Sequence, residues 1–156
     1  MALNVPAKFL SIQYFVTKLK EEIDDVLREK GSYQVDFVWH SMGGLVIRSY
    51  LANNPVTTKV RRVVTLGSPH AGSKLAVLGV GKAVKEMIPG SPFLEDLNQE
   101  LQMPASGLFY AIYTIVDNLL LPNESAKLTG DGVENIETRV VNHVGMPFCK
   151  HTALLV

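Results

Sequence analysis

Residues 35–48, Val35-Asp36-Phe37-Val38-Trp39-His40-Ser41-Met42-Gly43-Gly44-Leu45-Val46-Ile47-Arg48, constrain the fold more than any other stretch of the chain. An apolar, β-prone run from Val35 to Trp39 stops at His40-Ser41-Met42-Gly43-Gly44, and a helical pattern of Leu45, Val46, Tyr50 and Leu51 begins at once. A serine between a strand end and a helix start sits on a sharp turn, its hydroxyl pushed outward and its own backbone strained. Glycines on the helical side allow so tight a fold because they bring no Cβ against the strand. The helix N-terminus behind the serine offers unpaired N–H groups and a positive dipole end to a developing oxyanion. Ser41 so placed can serve as a nucleophile. Serine is also a favoured N-cap, so plain helix capping is the competing role for the same residue.

Strands and helices alternate along the rest of the chain. Ile12, Phe15, Val16, Leu19, Ile23, Val26 and Leu27 describe the apolar face of a helix over 9–30, with Lys18, Lys20, Glu21 and Asp24 on the wet side and Gly31 as the stop. A strand is expected at 34–39, a helix at 42–53 ended by Asn54-Pro55, and a second, β-branched strand at 60–66 closed by Gly67-Ser68-Pro69. Further strands are expected at 108–114 and 136–142. Nearly continuous apolar strands separated by helices imply an α/β fold, with a mostly parallel sheet covered on both faces. The chain of 156 residues suits one domain spanning 1–156. The stretch 73–106 is longer than a crossover requires and carries Leu75, Val77, Leu78, Val84, Met87, Ile88, Phe93, Leu94 and Leu97, more apolar residues than one helix face can bury. It reads either as a cap over the site or as a pair of ordinary packing helices. Gly79-Val80-Gly81-Lys82 lacks the spacing and the preceding strand of a phosphate loop.

Charge and cysteine content exclude several classes. Lys+Arg and Asp+Glu are both 15, so nothing here attracts nucleic acid or an anionic membrane electrostatically. The lone Cys149 rules out an internal disulfide and a cysteine-based zinc cluster, and no pair of histidines has the helical spacing of a metal site. Met1-Ala2-Leu3-Asn4-Val5-Pro6 lacks the charged and apolar regions of a signal peptide, and no apolar run approaches the roughly 20 residues of a membrane span.

The segment around Ser41 resembles the nucleophile elbow of the α/β-hydrolase lipases and esterases, G-x-S-x-G, often written out as G-H-S-M-G-G. Here it reads W-H-S-M-G-G, so Trp39 stands where the family carries a small residue, and its ring must splay aside or the turn must open. Leu66-Gly-Ser-Pro-His-Ala-Gly-Ser and Pro89-Gly-Ser-Pro-Phe-Leu are also similar to family segments. The resemblance implies an α/β-hydrolase-like fold and a triad in the chain order serine, acid, histidine. Asp117, in Ile-Val-Asp-Asn-Leu-Leu-Leu-Pro, resembles the acid loop; a surface Asp-Asn turn is the alternative, and Asp131 is the reserve carboxylate. His151 opens His-Thr-Ala-Leu-Leu, similar to the family's H-x-x-L-L, and is favoured over His143 as the base. His40 matches the histidine of H-S-M-G, with a packing and hydrogen-bonding role, and His70 matches G-T-P-H-x-G, a substrate-side residue at the pocket edge. The N–H of Met42 is the expected oxyanion donor.

A second oxyanion donor normally comes from a loop after an earlier strand, and no such loop precedes Ser41 in this sequence. Ala2-Leu3-Asn4-Val5-Pro6 resembles the end of the strand after that loop, which implies an incomplete, N-terminally shortened member of the family with its early strands absent. Two functions follow. The first is a serine hydrolase of carboxylic esters, lipid-like esters or acylglycerols above all, working through an acyl-enzyme and needing no cofactor. The second is a catalytically impaired remnant that acts, if at all, as an interaction module; acyl transfer by the same triad is a third possibility.

Overall fold

A computed structural model of the chain describes residues 10–99, 103–104, 106–139 and 141–156. The strand end read at 2–6 lies outside the described residues. Helix α1 (Ile12–Lys30) starts at Ser11, whose hydroxyl accepts from the Tyr14 N–H, and stops at Gly31 in the left-handed region (φ 60°). Its apolar stripe is buried at Ile12, Val16, Leu19 and Ile23. Strands β1 (Val35–His40), β2 (Val60–Leu66), β3 (Leu108–Thr114) and β4 (Val133–Thr138) form one parallel sheet in the order β1-β2-β3-β4. Helix α2 (Gly43–Asn53) joins β1 to β2, and the short helices α3 (Lys82–Glu86) and α4 (Pro92–Leu97) lie between β2 and β3. Helix α5 (Lys150–Ala153) follows β4.

The sheet is packed on both faces. On one side α1 and α2 close over Val60, Val63 and Phe109, joined by Ala83, Leu94 and Leu97. On the other, Val64, Leu66 and Ile112 meet Met146 and Leu155. Each Leu or Ile fully buried this way stabilises the fold by about 1.5–3 kcal/mol. Register then sets the place for chemistry. His40 pairs with Leu66, and Thr114 with Thr138, so the strands finish close to level. The turns beyond them are stitched to their neighbours: Ser41 N–H donates to the Leu66 carbonyl (2.9 Å) and Gly67 N–H to that of Ile112 (2.8 Å). Side chains on these turns converge at the carboxyl end of the sheet, where open α/β sheets bind ligands.

Two expectations need amendment. The last strand begins at Val133 and ends at Thr138, not 136–142, because the turn at Gly130-Asp131-Gly132 delivers the chain directly to β3. An edge strand tolerates exposed Glu134 and Asn135, which hid its start from an apolar pattern. The stretch 73–106 divides its apolar residues. Leu94, Leu97 and Ala83 enter the main core, whereas Val77, Leu78 and Val80 stand exposed beside the site end of the sheet.

The junction of β1 and α2 shows how the chain accommodates Trp39. The turn stays closed and the ring splays onto Gly43, where an added Cβ would lie 2.1 Å from Trp39 Cε3. At Gly44 a Cβ would meet Ser68 Oγ at 2.2 Å. These two glycines let the helix start against the strand ends. Gly43→Ala should therefore lower stability by about 1–3 kcal/mol in urea unfolding, and by clearly less in a Trp39→Leu background. Equal costs in both backgrounds would show that the indole does not press on this helix.

Candidate active site

Ser41 is the one non-glycine residue with positive φ (55°) among the described residues. A left-handed serine costs on the order of 1–3 kcal/mol unless its surroundings enforce it. Here the Leu66 carbonyl grips its N–H and Gly44 N–H donates back to its carbonyl (3.2 Å). The capping role does not hold. The residue at the head of α2 is Met42, with no side-chain cap, and among the described residues no protein group hydrogen-bonds the Ser41 hydroxyl. The Met42 N–H is likewise without a protein acceptor among the described residues, and it faces the same turn from the start of a helix.

Across the carboxyl end of the sheet, the turn after β3 supplies a carboxylate and the loop after β4 an imidazole. His143 Nδ1 lies 2.7 Å from Asp117 Oδ2, with both side chains buried. Asp117 Oδ1 accepts from the N–H groups of Leu119 (2.9 Å) and Leu120 (2.7 Å). Burial alone would raise the Asp117 carboxyl, but the bonds from His143, Leu119 and Leu120 outweigh it and hold the group below the usual carboxylate range. An ionised Oδ2 can only accept, so His143 Nδ1 carries a proton, and Nε2 is the nitrogen that can exchange one with a neighbour.

The structure pairs Asp117 with His143 and not with His151. His151, favoured on its tail motif, is exposed on α5 and makes no hydrogen bond to Asp117. The reason is loop length. His143 follows the end of β4 closely, as Ser41 follows β1 and Asp117 follows β3, whereas the 3₁₀ turn Met146–Phe148 carries the chain away before His151. That short distance to the last strand was the signal available in the sequence, since the strand expected at 136–142 already ended next to His143. Asp131 is exposed in the turn before β4 and meets no histidine. The His70 ring is 1% exposed and is not among the residues lining the pocket shared by Ser41 and His143. It packs edge-on against Phe109, and its Nε2 lies 3.1 Å from Thr65 Oγ1. Burial, then the nearby Arg48, pushes its pKa well below the ordinary value, so the ring is neutral. Its carbonyl takes bonds from Arg48 Nη1 (3.4 Å) and Asn98 Nδ2 (3.1 Å), which tie the loop after β2 to α2 and α4.

Ser41 and His143 share a pocket of about 220 Å³ with Pro69, Ser73, Leu75 and Leu119. A larger apolar groove of about 730 Å³ runs from Ser41 and Trp39 between α1 and the outer edge of β1, but it contains neither His143 nor Asp117. Of the two, the smaller pocket brings Ser41 and His143 together, with Asp117 bonded to His143. Among the described residues no helix is long and apolar enough to cross a membrane.

Comparison with known proteins now bears on this arrangement. Residues 15–79 match the family model of a domain of unknown function, DUF7379, a span that includes Ser41 and stops short of Asp117 and His143. Among solved structures, the chain is similar to phospholipase PlaB of Legionella pneumophila in complex with thio-NAD, at 19% identity and TM-score 0.61, over 72% of this chain and 28% of that one. It is similar to a mature lipase of Bacillus licheniformis at 18% identity and TM-score 0.69, over 88% of this chain and 74% of the other. A third likeness is to an α/β-hydrolase enzyme from a lagoon-sediment metagenome of Mar Chica, Morocco, at 19% identity and TM-score 0.65, over 97% and 71%. This chain thus spans less than a third of the phospholipase and about three quarters of the lipase. At such identities the likeness establishes the fold: α/β, α/β-hydrolase-like, a parallel sheet with helices on both faces.

Proposed function

We propose that the protein is a serine hydrolase of carboxylic esters in which Ser41 is the nucleophile, His143 the general base and Asp117 the residue that orients His143. The observation that carries this reading is the 2.7 Å Asp117–His143 bond beside a serine held in left-handed geometry. His143 Nε2 takes the proton of Ser41 as Oγ bonds to the ester carbonyl carbon. The carbonyl oxygen, now negative, lies against the Met42 N–H at the head of α2. When the tetrahedral centre collapses, the alkoxide leaves with the proton from His143, and an acyl-Ser41 remains. Water then attacks the acyl carbon while His143 receives its proton, and the acid departs with Ser41 Oγ re-protonated. Asp117 stays ionised throughout and offsets the charge that His143 carries in each half-reaction.

Lipid-like esters suit the surroundings. Leu75 and Leu119 line the pocket, and exposed Val77, Leu78 and Val80 on the stretch after β2 offer apolar surface to an acyl chain, as a cap would. The lipase and phospholipase likenesses point the same way, and no cofactor enters the steps above.

A fluorophosphonate probe tests the assignment directly. It should label Ser41, with labelling and ester hydrolysis lost in Ser41→Ala and His143→Ala but retained in His151→Ala. A folded chain that never labels would favour the catalytically impaired reading, and loss in His151→Ala with retention in His143→Ala would reverse the choice of base. Asp117→Asn should lower kcat by about 1,000- to 10,000-fold, because the imidazole is then free to take the wrong tautomer. The same carboxylate links pH to stability. Its folded-state pKa lies below the ordinary value of about 3.9, so its contribution is complete above that value and is lost as pH falls through the folded-state pKa. Melting temperature followed from pH 6 downward should fall less steeply in acid for Asp117→Asn than for the wild type.

A further inference from the structure

We infer that His40 is a positioning residue for the site, a tether that fixes the loop bearing His143 to the residue preceding Ser41. The inference rests on the proposed roles of Ser41 and His143, but its test includes a readout that needs no turnover. His40 is the last residue of β1 and is half-buried. Its Nε2 lies 2.9 Å from the main-chain carbonyl of His143, 103 residues away in sequence, and the two imidazoles stand 4.6 Å apart at 48°. A carbonyl only accepts, so His40 carries its proton on Nε2 and donates.

The geometry explains why such a tether matters. After β4 the chain leaves the sheet, and among the described residues the hydrogen bonds within the turn around His143 are long or local: Gly145 N–H to Asn142 Oδ1 (3.1 Å) and Met146 N–H to the His143 carbonyl (3.4 Å). The Asp117 bond fixes one nitrogen of the imidazole, yet by itself leaves the ring able to pivot about that bond with the loop. The His40 bond fixes the main chain of the same residue. Two anchors, one on the side chain and one on the backbone, determine where Nε2 points. The second anchor also shortens the structural path. Across the sheet, Ser41 and His143 are related through three strand pairings, each able to shift a little, whereas His40 joins the loop to the peptide unit next to Ser41. The titratable groups facing His40 are His143 and Asp117; burial first, then the neighbouring His143, disfavours a charged His40, so the donor is a neutral ring.

Two variants separate the tether from mere packing. His40→Gln keeps an N–H donor of similar reach, and His40→Phe keeps a ring to stack but has no donor. The ¹⁵N shifts of the His143 ring report its tautomer. In the wild type and in His40→Gln they should show the proton held on Nδ1, and in His40→Phe they should move toward the averaged values of a mobile imidazole. With a short-chain p-nitrophenyl ester, His40→Phe should lose about 10- to 100-fold in kcat, the scale of a misplacement near 1 Å, with KM little changed. His40→Gln should recover most of that loss. Should His40→Phe fail to fold, His40→Asn, too short to reach the carbonyl, takes its place. Unchanged ¹⁵N shifts in the donor-less variant would overturn the inference whatever the kinetics, and so would equal damage in His40→Gln. If the wild type turns over no ester, the hydrolase reading fails while the shifts still decide the tether.

Discussion

The left-handed backbone at Ser41 is the constraint from which the site is built. A side chain with a Cβ adopts φ 55° only when the structure leaves no alternative. Here the alternatives are closed by hydrogen bonding and packing together. The Ser41 N–H is committed to the end of β2, and α2 must begin at once because Gly43 and Gly44 lie flush against Trp39 and Ser68. Relaxing the serine would pull α2 off the sheet and expose Leu45, Val46 and Ile47, which belong to the main core. The strain is thus balanced by burial some distance from the hydroxyl it presents.

The acid and the imidazole are positioned by a different logic. Neither Asp117 nor His143 sits in regular structure; each lies on a loop that leaves a strand at the same end of the sheet. Level strand ends bring the loops near one another, and hydrogen bonds from Leu119 and Leu120 aim the carboxylate. Burial by itself would raise the Asp117 carboxyl, and the three donors around it reverse that tendency. A buried, ionised acid that fixes a proton on Nδ1 leaves Nε2 as the ring nitrogen through which a proton can pass.

Beneath the pocket, polar groups do structural work of a similar kind. Arg48 on α2 is 3% exposed and bonds to the carbonyls of His70 and Leu97 and to Asn98 Oδ1. Burial lowers its pKa to about 10, still far above neutrality, so the guanidinium remains charged and its acceptors remain occupied. It holds the loop after β2, which forms one wall of the site through Pro69, against both α2 and α4. The buried, neutral His70 is part of this floor, which is why a motif position expected at the pocket edge faces the core instead.

The sequence by itself determined the alternation of strands and helices, the parallel sheet and the strained turn at Ser41, because these follow from local patterns: apolar runs, helical spacing and glycines beside a serine. The positions of β2 and β3 were legible to the residue for the same reason, as both are buried, β-rich strands. The place of Asp117 on a loop just after the third strand was legible, since its context is local too. The partner of Asp117 was not. His143 and His151 both follow the last strand in sequence, and which of them meets Asp117 depends on how the loop after β4 and the 3₁₀ turn after His143 bend the chain. Burial of His70, the resting place of the Trp39 ring and the bond from His40 to the His143 carbonyl were equally out of reach. Each joins residues far apart in the chain or depends on what packs against them, so only the tertiary structure decided them.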